Sequence, residues 1–84
     1  MVHENLKKIR IAKGVTQSRV AKQINVTSMT YGRIESGESK LDVERLKVIS
    51  ILLGIDVAIF FDDKLTESVI KRIEKSSFQE KQLA

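Results

Sequence analysis

Few side chains of this 84-residue sequence have the chemistry for catalysis or metal binding. The single histidine, His3, has no second ligand near it in sequence, and we expect it to be a solvated terminal residue. Asp62 and Asp63 are adjacent, and we expect both to be solvated rather than arranged as a general acid and a general base. Cysteine is absent, which excludes a disulfide framework and a cysteine-ligated zinc site. The sequence therefore predicts no enzyme activity, no metal site and no cofactor.

The side chains suited to ligand binding are basic, and most of them lie in the first half of the chain. Residues 1–40 carry eight Lys and Arg against three Glu, a net charge of +5, whereas residues 41–84 have a net charge of −1. A concentration of positive charge is what a polyanion-binding face requires. A lysine-rich solvated surface has the same composition, so the charge alone favours nucleic acid without establishing it.

The elements that position these residues are predicted to be helices. Proline is absent and glycine occurs four times, which is typical of helices with short connections. Residues 57–61, VAIFF, are predicted as a short helix, with a strand as the alternative because the run is β-branched and aromatic. The other predicted helices, with their caps and stops, are 5–13 (Asn5, Gly14), the helix from Thr16 to Asn25, the helix from Thr27 or Ser28 to Gly37, 43–53 (Asp42, Gly54) and 66–82 (Thr66).

The two short helices within residues 16–37 are joined by a turn of about four residues, which is the helix-turn-helix layout. Four segments, LKKIRIAKGVTQ, VAKQINVT, RIESG and LDVERLKVISILLGI, follow one another in the chain. Together they resemble the Cro/CI-type (Xre) helix-turn-helix of phage repressors and small bacterial regulators, from about residue 6 to about residue 61. The resemblance implies an all-α fold, a compact five-helix lambda-repressor-like bundle, with an additional C-terminal helix in this chain.

Three parts of the chain are predicted from these patterns. Residues 1–4 are expected to be a loose N-terminal arm, and residues 5–62 the helix-turn-helix DNA-binding domain. Residues 63–84 are expected to be a C-terminal helical extension used for dimerisation or packing. Within the domain, a core face of the 43–53 helix is predicted at Val43, Leu46, Ile49 (or Ser50) and Leu53.

The resemblance implies which residues contact DNA. Ser28, Met29 and Arg33 match the base-reading positions of the family, and Arg33 can donate two hydrogen bonds to guanine O6 and N7. Gln17 matches the family's phosphate-binding glutamine, and Gly32 is expected to permit close approach to DNA. Further candidates for DNA backbone contacts are Thr16, Arg19, Thr27, Thr30, Ser36 and Lys40.

The resemblance also implies a partly buried ion pair between Arg10 and Glu35, which ties the first helix to the third. A DNA contact is the alternative role for Arg10. An unpaired charge at such a place would cost roughly 3–5 kcal/mol, so the pair is interpreted as structural.

A broad apolar surface on the 43–53 helix and beyond it predicts an interface between two copies. The residues predicted for this homodimer interface are Val48, Ile51, Leu52, Val57, Ile59, Phe60, Val69 and Ile73.

The resulting hypothesis is a sequence-specific transcriptional regulator, most often a repressor, that binds a palindromic double-stranded operator as a homodimer through the major groove. It is expected in the cytoplasm of a bacterium, encoded by the bacterium or a phage, with no membrane segment. The alternative is an antitoxin or other interaction module whose tail and fourth helix bind a partner protein, such as a toxin or effector.

Overall fold

The computed structural model describes residues 1–83, with side chains as far as Ser76. Over this range the fold is all-helical. Its elements are α1 (Val2–Ala12), α2 (Gln17–Gln23), α3 (Ser28–Ser36), α4 (Val43–Leu53), a 3-10 helix (Val57–Phe61) and α5 (Asp63–Leu83).

Side-chain caps begin α2 and α3 at the positions that the sequence predicts. Thr16 accepts a hydrogen bond from the Arg19 backbone N–H at 3.2 Å. Thr27 caps α3 through the backbone N–H of Thr30 at 3.1 Å. Each cap satisfies one of the backbone N–H groups that have no partner in the first turn of a helix. The predicted starts of α2 and α3 are therefore confirmed.

The predicted helix ends are confirmed as well. Asn25, just after α2, has a left-handed backbone with φ of +59°, a conformation that asparagine tolerates better than most side chains. Gly37 closes α3 with φ of +85°. These ends make the turn between α2 and α3 short and fix the two helices against each other.

One apolar core joins the first four helices to the 3-10 helix. Tyr31 and Phe60 are its largest fully buried side chains. The core consists of Leu6, Ile9, Val20, Ala21, Ile24, Tyr31, Ile34, Leu46, Ile49, Leu53 and Phe60.

The first residues do not form a loose arm, and this prediction was wrong. Helix α1 begins at Val2, and the N-terminal ammonium of Met1 donates to Asp63 at 3.2 Å. Asn5 is buried rather than capping: its side-chain amide donates to the Phe60 carbonyl and to Asp63, both at 2.9 Å. Contacts with Phe60 and Asp63 hold the start of α1 in place.

His3 is not the solvated residue that the sequence predicts. Its ring lies against Gly37, so close that a Cβ atom at that position would be 2.9 Å from Nε2. Together with the positive φ, this contact explains why a glycine ends α3.

The start of α5 also differs from the prediction. The helix begins at Asp63, and Asp62 caps it by accepting from the Leu65 backbone N–H at 2.9 Å. Thr66, the predicted cap, is fully buried and donates its hydroxyl to the Ile59 carbonyl at 2.8 Å. This bond fixes α5 to the 3-10 helix, and α5 then packs along α1.

Two predictions about apolar residues were wrong. Val43, expected in the core face of α4, is exposed. Phe60, expected in the dimer interface, is fully buried in the core of the single chain. Residues 57–61 form the short helix, not the alternative strand, and its turn directs Phe60 inward.

Candidate nucleic-acid interface

Helix α3 has one buried and one exposed face. Tyr31, Ile34 and Glu35 lie inward. The exposed face is formed by Met29, Gly32, Arg33 and Ser36, with Ser28 at the helix start. The three predicted base-reading side chains are thus all exposed on the second helix of the helix-turn-helix.

Met29 and Arg33 are one turn apart and lie side by side. The Arg33 guanidinium is 3.7 Å from the Met29 sulfur, a contact that keeps the guanidinium along the helix surface. Ser36 donates its hydroxyl to the Arg33 carbonyl at 3.0 Å, so its side chain is folded onto the helix. Arg33 therefore has the largest set of free hydrogen-bond donors on this face.

Gln17 connects the start of α2 to the exposed face of α3. Its side-chain nitrogen donates to Glu35 at 3.0 Å. A Cβ atom on Gly32 would lie 4.0 Å from both polar atoms of the Gln17 amide, an ordinary contact distance. The amide of Gln17 therefore borders α3 at Gly32, where that helix has no side chain.

The structure brings Arg10 and Glu35 together in a bidentate pair. Arg10 Nε donates to one carboxylate oxygen of Glu35 at 2.5 Å, and Nη2 donates to the other at 3.0 Å. Nη1 of Arg10 donates to the Val15 carbonyl at 2.8 Å, so the pair also fixes the turn before α2. Each of the three guanidinium nitrogens of Arg10 thus donates a hydrogen bond within the protein, which favours its structural role.

Burial opposes the ionisation of Glu35, but hydrogen bonds from Arg10 and Gln17 and the charge of Arg10 outweigh it. They hold the pKa of the Glu35 carboxyl below its ordinary value. The hydrogen bond to Glu35 and the charge of Glu35, against the cost of burial, raise the pKa of Arg10. Both groups are therefore charged at neutral pH, and the carboxylate remains an acceptor for Gln17.

Tyr31 lies beside this pair. Its hydroxyl is buried and has no hydrogen-bond partner among the described residues. Burial, followed by the neighbouring Glu35, raises the pKa of the phenol. Tyr31 thus contributes its ring to the core while its hydroxyl occupies the interior next to the charged pair.

The other predicted backbone-contact residues fall into two groups. Thr16 and Thr27 are exposed, but their hydroxyls cap α2 and α3, and Thr27 also donates to the Thr30 hydroxyl at 3.0 Å. Arg19 and Lys40 are exposed and project from the surface without an ion pair among the described residues. The first group orders the backbone, while the second offers positive charge directly.

Sequence reasoning did not identify the second role of Glu35, as the acceptor that orients Gln17. The two residues are 18 positions apart, and no local pattern links a glutamine at a helix start to a distant carboxylate. The signal that exists is indirect, because a buried carboxylate with one cationic partner still has lone pairs to satisfy.

The predicted dimer residues are distributed over three elements. Ile51 is 81% exposed and Val48 is partly exposed, both on α4. The remaining residues, apart from the buried Phe60, are half-buried: Leu52, Val57, Ile59, Val69 and Ile73.

Within the described part of the chain, no three His, Cys, Asp or Glu side chains are grouped closely enough to hold a metal ion. No described helix is long and apolar enough to cross a membrane. The site that does exist is an exposed helix face, placed by a preceding short helix and bordered by hydrogen-bonding side chains.

These features define a helix-turn-helix DNA-binding protein, in which the second helix of the motif can lie in the major groove. The chain belongs to the Xre-type helix-turn-helix family, because a family model described as "Helix-turn-helix" matches residues 6–60. The proteins of this family are DNA-binding transcriptional regulators, and this coarse function applies to the chain.

Two curated relatives from Bacillus subtilis (strain 168) are similar to it. The uncharacterized HTH-type transcriptional regulator YqaF is 41% identical over 68 residues, which cover 81% of this chain and 90% of the relative. The SPbeta prophage-derived uncharacterized HTH-type transcriptional regulator YonR is 38% identical over 55 residues. That match covers 66% of this chain and 51% of the relative. No solved structure matches the chain.

Proposed function

We propose that the protein is a sequence-specific repressor that binds a palindromic operator as a homodimer, in the cytoplasm of a bacterium. The observation that carries this proposal is the shared surface of α2 and α3. On it, the exposed Arg33 and Met29 lie on the same helix face as Gly32, against which the Gln17 amide is placed. A base-reading arginine and a phosphate-binding amide at neighbouring positions are the two contact types that a major-groove reader needs.

Base recognition depends mainly on Arg33 in this proposal. A bidentate contact between arginine and guanine is worth about 1–3 kcal/mol of discrimination against other bases. Ser28 and Met29 add a short hydroxyl and an apolar surface suited to a thymine methyl group. One copy therefore recognises few base pairs, which is too little against the competing sites of a genome.

A second copy supplies the missing specificity, because two copies on a two-fold axis read two half-sites about one helical turn apart. The surface we propose for this contact is α4 with the adjoining 3-10 helix. Ile51 and Val48 are exposed there, and Leu52, Val57 and Ile59 extend the apolar area. A dimer that covers its operator excludes other proteins from that DNA, so repression is the sign of regulation that we propose.

The test is selection of binding sites from random duplex DNA by the purified protein, in parallel with Arg33→Ala and with Lys13→Ala as the control. The native protein and the control are expected to enrich a palindrome with a guanine in each half-site. Arg33→Ala is expected to lose the guanine preference at that position while keeping weak, salt-sensitive binding. Absence of any enriched sequence, or a guanine preference that survives in Arg33→Ala, would contradict the proposal.

A further inference from the structure

The outer surface of α5 carries positive charge on one side of the helix. Four basic residues between positions 64 and 75 are exposed at helical spacing, and the exposed, uncharged Ser68 lies on the same side of the helix. These residues, called the basic strip from here on, are Lys64, Lys71, Arg72 and Lys75. None of them makes an ion pair within the part of the chain whose side chains are described.

The acidic residues of α5 whose side chains are described lie on a different side. Glu67 bonds Lys8 of α1 at 3.2 Å, and Glu74 lines the same groove between α1 and α5. As far as Ser76, α5 therefore has its acidic side chains on the side of α1 and its basic side chains toward solvent.

The basic strip places like charges close together on the helix. Lys71 and Lys75 are four residues apart, and Arg72 and Lys75 are three apart. Like charges at these spacings destabilise a helix. A solvated helix surface with no binding role more often alternates charge, so the strip indicates a negatively charged partner.

An apolar stripe accompanies the basic strip. Phe61 is 61% exposed, Leu65 is 49% exposed, and Val69 is half-buried one turn further along α5. Leu65 and Val69 are four positions apart on α5, so they lie on one side of that helix beside the basic strip. Phe61 precedes them as the last residue of the 3-10 helix.

We infer that the basic strip and the apolar stripe of α5 bind an acidic amphipathic helix of another protein. Such a helix places apolar side chains on Leu65 and Val69 and carboxylates against the lysines and arginine. The partner helix then binds through its apolar face, with complementary charge as the selective element.

The charge pattern argues against a second copy as the occupant. In an isologous contact each surface meets itself across the two-fold axis, so the basic strip of one copy would face that of the other. Like charges in such a contact oppose association. Duplex DNA is also a poorer match, because phosphates satisfy the cations but leave the apolar stripe without a partner. In addition, α5 packs on α1 and the 3-10 helix, whereas the DNA-reading surface lies on α2 and α3.

The test uses the full chain and a synthetic amphipathic peptide of about 18 residues, with leucine along one side and glutamate along its flanks, long enough to form a helix on binding. Two control peptides have the same composition in scrambled order, or lysine in place of glutamate. Binding is followed by fluorescence anisotropy of the peptide and by the methyl NMR signals of Leu65 and Val69.

The acidic amphipathic peptide is expected to bind and to shift both methyl signals, and neither control peptide should do so. Reversing Lys71 and Lys75 to Glu is expected to weaken binding at least about tenfold. The matched control reverses Lys13 and Lys22 to Glu, exposed residues of the other half, and should change the affinity less than about twofold. Leu65→Ser removes part of an exposed side chain and is expected to weaken binding without affecting the fold.

Several results would overturn the inference. The inference would fail if the scrambled peptide bound as tightly as the amphipathic one. It would also fail if reversing Lys13 and Lys22 weakened binding as much as reversing Lys71 and Lys75. Either result would mean diffuse attraction between opposite charges. Shifts of the Leu65 and Val69 methyl signals by random duplex DNA would make the strip a DNA contact. Conversion of a dimer to a monomer by Leu65→Glu would make it the interface between copies.

Discussion

We expect that glycine at position 32 serves the close approach of α3 to DNA rather than the folding of the chain. It lies inside α3, where glycine costs about 1 kcal/mol relative to alanine. A Cβ atom there would meet only the Gln17 amide, at an ordinary 4.0 Å. Nothing within the fold therefore requires glycine at this position.

Gly32→Ala is expected to raise the free energy of unfolding by up to about 1 kcal/mol and to weaken operator binding, because the added methyl group separates α3 from the groove. The control is Gly14→Ala, at φ of +72° with open space around it, which should lower stability by about 1–2 kcal/mol through the backbone alone. Urea unfolding and operator titration measure both effects. Unchanged operator affinity in Gly32→Ala would refute the role in DNA approach.

Glu35 makes the stability of the protein depend on pH. Its pKa in the folded protein lies below the ordinary value of 4.5. The stabilisation from this ionised carboxylate is therefore fully present above about pH 4.5 and is lost as the pH falls through the folded pKa. We expect the urea midpoint of the native protein to decrease in that acidic range.

Two variants separate Glu35 from the other carboxyl groups. Glu35→Gln is expected to lower stability by about 3–5 kcal/mol at neutral pH, because Arg10 remains buried without its charge partner. The double variant Arg10→Met with Glu35→Leu removes both charges and should be much less destabilised, with a weaker decrease in acid. A double variant as unstable as Glu35→Gln would show that packing, not the ion pair, determines the stability here.

At the scale of the elements, local signals were sufficient where a helix is bounded by its own neighbours. The caps at Thr16 and Thr27 and the left-handed ends at Asn25 and Gly37 depend on residues three or four positions away, which the sequence displays. The helix-turn-helix and its exposed residues could therefore be predicted.

The sequence failed where an element is held by distant residues. Asn5 donates to a carbonyl 55 positions away, so its amide looked like a cap for a helix that in fact begins earlier. Phe60 looked available for a partner because its burial depends on the 3-10 turn. In the site, the contact between Gln17 and Glu35 was missed for the same reason.

The contact of α1 with the start of α5 gives a prediction for these elements. Asn5→Ala leaves the Phe60 carbonyl without its donor and removes a bond to Asp63, so stability should fall by about 1–3 kcal/mol. Lys8→Ala breaks only the exposed pair with Glu67 and should cost less than about 1 kcal/mol. Hydrogen exchange should show faster opening of the first turns of α5 in Asn5→Ala. If Asn5→Ala exchanged faster only in α2 and α3, Asn5 would not be what holds α1 to the start of α5.

At the scale of the whole molecule, the two exposed apolar surfaces have different charge environments. The exposed apolar residues of α5 lie beside the basic strip, which suits an acidic partner. The exposed α4 residues lie beside Glu44 and Lys47, 3.8 Å apart, so this surface carries both signs and can meet a copy of itself. For this reason we propose that the dimer contact uses α4 and the 3-10 helix, without Val69 and Ile73.

Ile51→Glu tests that assignment, because it places a charge at the most exposed apolar position of α4. The variant is expected to sediment as a monomer and to bind a single half-site as the native protein does. It should lose the cooperative gain on a palindrome, since two copies no longer bind each other while they occupy adjacent half-sites. The control is Ile11→Glu, an exposed apolar residue of α1, which should remain dimeric. If Ile51→Glu remained dimeric and cooperative, α4 would not be the contact, and the second half-site would have to be reached through another surface.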